Sequence, residues 1–197
     1  MIVLGITGQT GAGKSIVSQT FKNRGVLIID ADKIAREVTL PGSLVSEKIK
    51  DAFGSEYFED GTLNRKKLGK YVFENKDKLA LLNSITHPAI CSIIVDVIEK
   101  ERKRKCYKAV AIDAPLLKQA GLDKFCDKVI VVVSKKENRL QRITSRDLIT
   151  AEEADLRILR QDEEEYYTKN ADKIFNNDGL VEKLISDVNK YADELGL

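Results

Sequence analysis

Short apolar runs alternate along the chain with segments in which apolar residues recur every three or four positions. Residues 2–6, 26–29, 109–113, 129–133 and 173–176 form these runs, which predicts buried strands. The segments between them predict helices. Strands that follow one another through a helix run parallel, because the chain must cross over to return. The pattern therefore predicts an α/β fold with a parallel five-stranded sheet and helices on both faces.

The stretch after the first run, residues 8–15, fits the phosphate-binding pattern G-x-x-x-x-G-K-[ST] at every constrained position. We call it the phosphate loop. Glycines let backbone N–H groups turn toward phosphate oxygens, and the following helix adds a partial positive charge. Lys14 can reach the β- and γ-phosphates, and the Ser15 hydroxyl can ligate Mg²⁺. The residues expected to contact the nucleotide here are Gly8, Thr10, Gly11, Ala12, Gly13, Lys14, Ser15 and Ile16.

Acidic residues follow the next two predicted strands. Asp30 and Asp32 come directly after the second strand, and Asp113 ends the third. Because the carboxyl ends of parallel strands meet at one edge of a sheet, we expect these acids at the edge that carries the phosphate loop. There Asp113 can hold Mg²⁺ directly or through water. The alternatives are that Asp30 or Asp32 caps the next helix and that Asp113 only forms a turn.

Residues 33–104 contain no predicted strand, which is too long for a simple crossover and indicates an inserted helical lobe with room for a second substrate. His87-Pro88 is predicted to lie between two helices of this lobe. The pair either contacts a substrate or only begins a helix. No apolar run is expected to approach the length that spans a membrane.

Two polar helices are predicted after the fourth strand, and they resemble a mobile flap. Arg142 and Arg146 are four residues apart and share a helical face, so they could close over transferring phosphates. They could equally pair with acids such as Asp147. Asn177, in the polar turn after the last strand, could meet a nucleotide base or belong to an ordinary turn.

Composition narrows the setting of the protein. The chain of 197 residues has 33 basic and 31 acidic residues, a balance that gives no reason to expect a nucleic-acid or membrane partner. Its three cysteines are scattered and support neither a disulfide framework nor a zinc site. A reducing cytoplasm fits, and we expect a monomer or a small homo-oligomer.

Several short motifs occur in one order along residues 4–179. They are the phosphate loop, the segment D-A-D-K-I-A-R at residues 30–36, His87-Pro88, Pro115-Leu116-Leu117, and a carboxyl-terminal pattern ending at Asn177-x-Gly179. In this order they resemble the dephospho-CoA kinase family, which catalyses the last step of coenzyme A synthesis. The resemblance implies ATP-dependent phosphorylation of the 3′-hydroxyl of the dephospho-CoA ribose, with Mg²⁺.

The resemblance also implies a P-loop NTPase fold like that of nucleoside monophosphate kinases, with three parts. These are a core (about residues 1–32, 106–135 and 171–197), a helical acceptor-binding lobe (about 33–105) and a lid (about 136–170). By position, Asp32 resembles the acid that orients or deprotonates the acceptor hydroxyl. Arg142 and Arg146 resemble lid residues that, with Lys14, act in catalysis, and Asn177 resembles a contact near the ATP base.

The chain departs from the family pattern at several positions. Gln9-Thr10 replaces a usual Gly-Ile inside the phosphate loop, and Ile16 stands where threonine is frequent. Lys118-Gln119 replaces an aromatic-acid pair, and Asn176 replaces an aspartate. Because the constrained glycines remain, we expect phosphate binding to survive.

Three other functions compete with this interpretation. They are a nucleoside monophosphate kinase, a GTPase-like switch and a regulatory ATP-binding protein. The segment at residues 30–36 argues against the first. The second lacks a guanine signature, since residues 75–78 read N-K-D-K rather than N-K-x-D. Acceptor-dependent ADP release would separate an enzyme from both binding modules.

Overall fold

The computed structural model describes all 197 residues and contains two β-sheets with surrounding helices. The strands are β1 (Ile2–Gly8), β2 (Leu27–Asp30), β3 (Phe58–Glu59), β4 (Thr62–Leu63), β5 (Ala109–Asp113), β6 (Lys128–Val133) and β7 (Lys173–Asn176). The helices are α1 (Lys14–Asn23), α2 (Ala31–Glu37), α3 (Leu44–Phe53), α4 (Arg65–Phe73), α5 (Lys76–Arg104), α6 (Lys136–Asp147), α7 (Ala151–Leu159), α8 (Glu164–Thr168) and α9 (Val181–Glu194).

Five strands form the main sheet in the order β2-β5-β1-β6-β7. The β1–β5, β1–β6 and β6–β7 pairs are all parallel. The central strands are buried on both faces, which explains their continuous runs of branched apolar residues. The predicted α/β class with a parallel five-stranded sheet is therefore confirmed.

The chain divides into two compact units, Met1–Ile29 with Ile98–Leu197, and Asp30–Val97. The larger unit holds most of the main sheet, and its core contains side chains from β1, β5, β6, β7, α1 and α9. Its fully buried members include Leu4, Ile6, Phe21, Ile130 and Val188. The finer division into core, acceptor lobe and lid stays a prediction.

The smaller unit is helical apart from one short hairpin. Its core contains Ile49, Phe53, Leu63, Leu68 and Val72. The hairpin pairs β3 with β4 in antiparallel register around the Asp60-Gly61 turn, where both residues have positive φ angles. The expectation that this region has no strand is therefore wrong at the hairpin, because strands of two residues are too short to show a period.

Helix α5 runs through His87-Pro88 without a break, so the prediction that this pair lies between two helices is wrong. A proline inside a helix costs about 3 kcal/mol, because it removes one backbone hydrogen bond and crowds the carbonyl four residues earlier. Apolar packing on both sides offsets this cost: Leu82 and Ile85 pack against the smaller unit's core, and Ile94 is fully buried. Burial lowers the pKa of His87.

By length and composition alone, α5 could also cross a membrane. The expectation that no apolar stretch approaches this length was therefore wrong, because Pro88 does not interrupt the helix. This is weak evidence for a membrane segment, since core helices of soluble proteins pass the same criteria. Ile90, Ile94 and Ile98 are buried, although only 17% of the apolar window of this helix is buried in all.

Candidate active site

The phosphate loop connects β1 to α1, as the motif requires. Gly8 is the last residue of β1, Gly13 caps α1 and Lys14 is its first residue. Gly13 has a φ angle of 102°, and a Cβ there would collide with the side-chain amide of Asn177. Only glycine fits this position without strain. The first turn of α1 therefore presents its N–H groups at the loop, where an anion can accept hydrogen bonds from them.

Side chains from outside the loop hold three successive loop carbonyls. Arg139 Nε donates to the Thr10 carbonyl at 3.0 Å, and Arg142 donates to the Gly11 carbonyl at 3.2 Å. Asn177 Nδ2 donates to the Ala12 carbonyl at 2.8 Å. In a trans peptide the next N–H points the opposite way from the carbonyl, and the chain has no cis peptide. The Gly11 and Gly13 N–H groups therefore point away from these side chains.

Lys14 and Asp113 form an ion pair beside the loop. Asp113 pairs in register with Ile6 of β1, which puts its carboxylate at the end of the sheet where the loop begins. Its second oxygen accepts a hydrogen bond from the Ser18 hydroxyl at 2.6 Å. The structure thus brings together Lys14 and Asp113, which the sequence predicted for one edge.

The oxygen donors at this edge fit Mg²⁺. Ser15 lies in the first turn of α1 and is exposed, next in sequence to the lysine that holds Asp113. No group of three or more His, Cys, Asp or Glu side chains could hold a metal ion on its own. Mg²⁺ in nucleotide sites commonly takes only one or two protein oxygens, with phosphates and water completing its shell. A hydroxyl and a carboxylate match that donor set.

Asn177 and Arg142 belong to one hydrogen-bond network beside the loop. Asn177 is 2% exposed, and its backbone carbonyl accepts from Arg142 at 2.7 Å. Arg142 also donates to the Ser134 hydroxyl at 3.1 Å. The Asn177 Oδ1 atom is buried and has no hydrogen-bond partner in the protein. In this conformation both side chains support the loop from behind, and their predicted contacts with nucleotide stay predictions.

The neighbouring Asp178 fixes the start of α6. Its carboxylate accepts hydrogen bonds from the Lys135 N–H at 2.7 Å and the Ser134 hydroxyl at 2.9 Å. These bonds, the backbone one most strongly, lower the pKa of Asp178 to about 2. The carboxylate is therefore charged at neutral pH and ties β7 to the helix that carries Arg142.

Arg146 has different partners from Arg142. Its guanidinium binds Asp147 at 2.7 Å, and Arg157 of α7 binds the same carboxylate at 2.6 Å. The hydrogen bond from Arg146 is the largest cause of the lowered pKa of Asp147. The alternative left open by the sequence, pairing with Asp147, is what this conformation shows. A role for Arg146 over the phosphates stays a prediction.

Arg139 is the residue whose position the sequence did not reveal. It is 4% exposed and donates to Thr10, Gln9 and Gln161. Burial lowers the pKa of this guanidinium from its usual value, although an arginine side chain remains charged in proteins. Arg139 and Arg142 are three residues apart and so share one face of α6. This spacing is the feature of the sequence that could have indicated a position for Arg139 beside the loop.

In the smaller unit, the Asp30 carboxylate caps α2 by accepting a hydrogen bond from the Lys33 N–H at 2.9 Å. Of the two roles that the sequence left open for Asp30, this is the helix cap. Asp32 lies exposed in the first turn of the same helix. Arg65 donates to the Arg36 carbonyl at 2.9 Å. Burial and the charge of Arg36 lower the pKa of Arg65. Arg36 and Arg65 are therefore neighbours in this unit.

These features define the class of the protein. A parallel sheet with its first strand in the middle, a phosphate loop between β1 and α1, and an acid at the end of the neighbouring strand form the nucleotide site of P-loop phosphotransferases. The family model for dephospho-CoA kinase matches residues 2–183. The chain belongs to the dephospho-CoA kinase family.

Known relatives cover nearly the whole chain. It is 38% identical to a dephospho-CoA kinase of Fusobacterium nucleatum, over 99% of each chain. The solved dephospho-CoA kinase of Campylobacter jejuni is 30% identical, with a TM-score of 0.72 over 98% of this chain and 96% of that one. A crystal structure from Thermus thermophilus has a TM-score of 0.81 and 28% identity, covering 98% of this chain and 97% of that one.

Proposed function

We propose that this protein transfers the γ-phosphoryl group of ATP to the 3′-hydroxyl of the dephospho-CoA ribose. The products are coenzyme A and ADP, and the reaction is the last step of coenzyme A synthesis. The observation that carries the proposal is the Lys14–Asp113 pair at the end of an intact phosphate loop, in a chain of this family. The near balance of charge gives no reason to expect a nucleic-acid or membrane partner, and the three free cysteines fit a cytoplasmic enzyme. We propose that it acts as a monomer or small homo-oligomer.

The phosphates of ATP compete with Asp113 for the Lys14 ammonium. The Asp113 carboxylate pairs with this ammonium beside the loop. A triphosphate carries more negative charge and also accepts the N–H groups of the loop and of the first turn of α1. Lys14 then binds the β- and γ-phosphates, and one Asp113 oxygen becomes available. Ser15 and Asp113 would hold Mg²⁺, which supplies positive charge to the phosphates when bound.

The acceptor is handled by residues of the smaller unit. Asp32 orients the 3′-hydroxyl or removes its proton, for which an exposed carboxylate in the first turn of a helix is suited. Arg36 and Arg65 attract the pyrophosphate of dephospho-CoA, since these two cations lie close together. Positioning of this kind supplies most of the rate enhancement in phosphoryl transfer, because the reaction needs little covalent help.

The lid residues act on the transferring group. Arg142 and Arg146 stabilise the negative charge that spreads over the γ-phosphoryl oxygens as the lid, about residues 136–170, closes. Arg142 reaches the loop from α6. Asn177, which holds the Ala12 carbonyl of the loop from the carboxyl end of β7, lies near the ATP base.

The test is ATP consumption with and without dephospho-CoA, followed by location of the new phosphate. We expect ADP release that depends on dephospho-CoA and a product phosphorylated at the 3′-hydroxyl. Equal turnover with a nucleoside monophosphate, or ATP hydrolysis that ignores the acceptor, would contradict the proposal. Asp32→Asn should lower turnover at saturating dephospho-CoA by more than about tenfold. Asp51→Asn, on the exposed face of α3, is the matched control.

A further inference from the structure

Thr10 of the phosphate loop is held at both its backbone N–H and its backbone carbonyl. Arg139 Nε donates to the Thr10 carbonyl at 3.0 Å, and Gln161 Oε1 accepts the Thr10 N–H at 2.8 Å. The same guanidinium donates to Gln9 Oε1 at 2.5 Å and to Gln161 Oε1 at 3.4 Å. Arg139 therefore connects the two glutamines that flank Thr10 in space.

This arrangement decides where the next N–H group points. Gly11 has a φ angle of 76°, and glycine can exchange this conformation for others at little cost. Because the peptide is planar and trans, holding the Thr10 carbonyl against Arg139 directs the Gly11 N–H away from Arg139. A loop whose donors are fixed before binding does not pay for ordering them when the phosphates arrive.

Several of the chain's departures from the family pattern belong to this arrangement, although Ile16 and Asn176 do not. Gln9 Nε2 donates to the Asp162 carbonyl at 2.9 Å, and Gln119 donates to the Asp162 carboxylate at 2.7 Å. Lys118 Nζ donates to the carbonyls of Tyr166, Tyr167 and Lys169 at 2.8, 2.9 and 2.6 Å. The replaced side chains at positions 9, 118 and 119 thus all contact one segment, residues 161–169, and position 10 contacts it through its backbone N–H. That segment also supplies the Gln161 oxygen.

We propose that Arg139 is a positioning residue for ATP: it holds the carbonyl of the peptide that joins Thr10 to Gly11, and its bonds to Gln9 and Gln161 fix the guanidinium so that the Gly11 N–H faces the phosphates. Arg139 acts through the loop backbone and does not touch the reacting atoms. The proposal rests on the proposed function only in taking ATP as the phosphoryl donor. It concerns nucleotide binding and is independent of the acceptor.

Replacement of Arg139 should weaken the binding of phosphates and leave the acceptor untouched. Arg139→Met removes three charge-assisted donors at nearly constant length, and we expect the KM for ATP to rise by about tenfold or more. The KM for dephospho-CoA should change by less than about twofold. Arg139→Lys keeps the charge without the fork of donors, so it should recover only part of the loss. Arg102→Met, in an exposed pair with Glu99, is the matched control.

Direct binding separates positioning from a merely structural role. The affinity for the ATP analogue AMP-PNP should fall by about tenfold in Arg139→Met, whereas the affinity for adenosine should stay within about twofold. Gln9→Ala should weaken AMP-PNP binding by about threefold, and its effect should shrink when Arg139 is already replaced. Unchanged AMP-PNP affinity with a lowered melting temperature, or effects that simply multiply, would overturn the proposal.

The proposal can still be tested if the Arg139→Met variant does not fold or if the proposed function fails. If Arg139→Met does not fold, the Gln9→Ala variant tests the proposal instead. A loss of about threefold in its affinity for AMP-PNP supports the proposal, and an unchanged affinity overturns it. If the wild-type protein does not phosphorylate dephospho-CoA, the proposed function fails. The comparison of AMP-PNP with adenosine still tests Arg139.

Discussion

Asn177 is the side chain that ties the end of β7 to the phosphate loop. Its Nδ2 donates to the Ala12 carbonyl at 2.8 Å, and both residues are almost fully buried. Asn177→Ala removes the donor and leaves that carbonyl without its partner in a place that water reaches poorly. It also removes the amide that lies against Gly13, so the loop becomes freer to change conformation.

The expected loss follows from these contacts. A neutral hydrogen bond contributes about 1 kcal/mol, and leaving a buried carbonyl unsatisfied costs about 1–3 kcal/mol. We therefore expect the free energy of unfolding to fall by about 2 kcal/mol, and the melting temperature by about 4–8 °C for a chain of this size. The KM for ATP should rise by about tenfold, because the Gly13 N–H is no longer held in place.

Urea unfolding without nucleotide measures the first quantity, and steady-state kinetics at saturating dephospho-CoA measures the second. The slope of the unfolding free energy against urea should stay constant, so that a lower midpoint reports lower stability. Asn23→Ala is the matched control, because Asn23 is exposed and bonds only to the nearby Gln19; it should change stability by less than about 0.5 kcal/mol. If Asn177→Ala unfolded at the wild-type urea concentration and kept the wild-type KM, the loop would not depend on Asn177.

Three more outcomes follow from single contacts. Lys14→Ala should abolish most turnover and weaken ATP binding; near-normal values of both would remove the phosphate-loop interpretation. The pKa of Asp178 is lowered from 3.8 to about 2, so its stabilising effect is complete above pH 3.8 and is lost as the pH falls through about 2. Asp178→Ala should therefore be less stable than wild type at pH 7, and urea unfolding at pH 7 and pH 2 should show the difference shrinking. Burial raises the pKa of Cys126 to about 12, so iodoacetamide at pH 8 should label the exposed Cys106 and spare Cys126, as mass spectrometry can check.

The sequence predicted the parts of the fold that short-range pattern decides. Parallel strands buried on both faces need continuous branched apolar runs, and the loop glycines need positive φ angles, so both leave local marks. Helix caps leave a local mark of the same kind: the Ser43 and Thr150 side chains each accept the N–H of the residue three positions later. Asp113 was placed at the loop edge because strand order and parallel direction fix where a strand ends.

The wrong predictions for the region of α5 show where a local sequence pattern no longer determines the structure. His87-Pro88 is a common helix start, and nothing within a turn of it indicates that one helix continues on both sides. The helix continues because its two halves pack against side chains from other elements, Leu82 against the core that contains Leu68 and Val72. An internal proline costs about 3 kcal/mol, which is less than the free energy gained by burying several apolar side chains. The missed hairpin has the same cause on a smaller scale.

The residues behind the phosphate loop explain why the loop tolerates its unusual sequence. The motif constrains the glycines, because they determine which N–H groups can face phosphate, and it leaves the carbonyl side open. In this chain that side is satisfied by Arg139, Arg142 and Asn177, which lie 129 to 165 residues later in sequence. No local pattern can match such partners. Considered with the loop alone, Gln9 is only a departure from the family pattern. In the folded chain its side-chain oxygen accepts a hydrogen bond from Arg139.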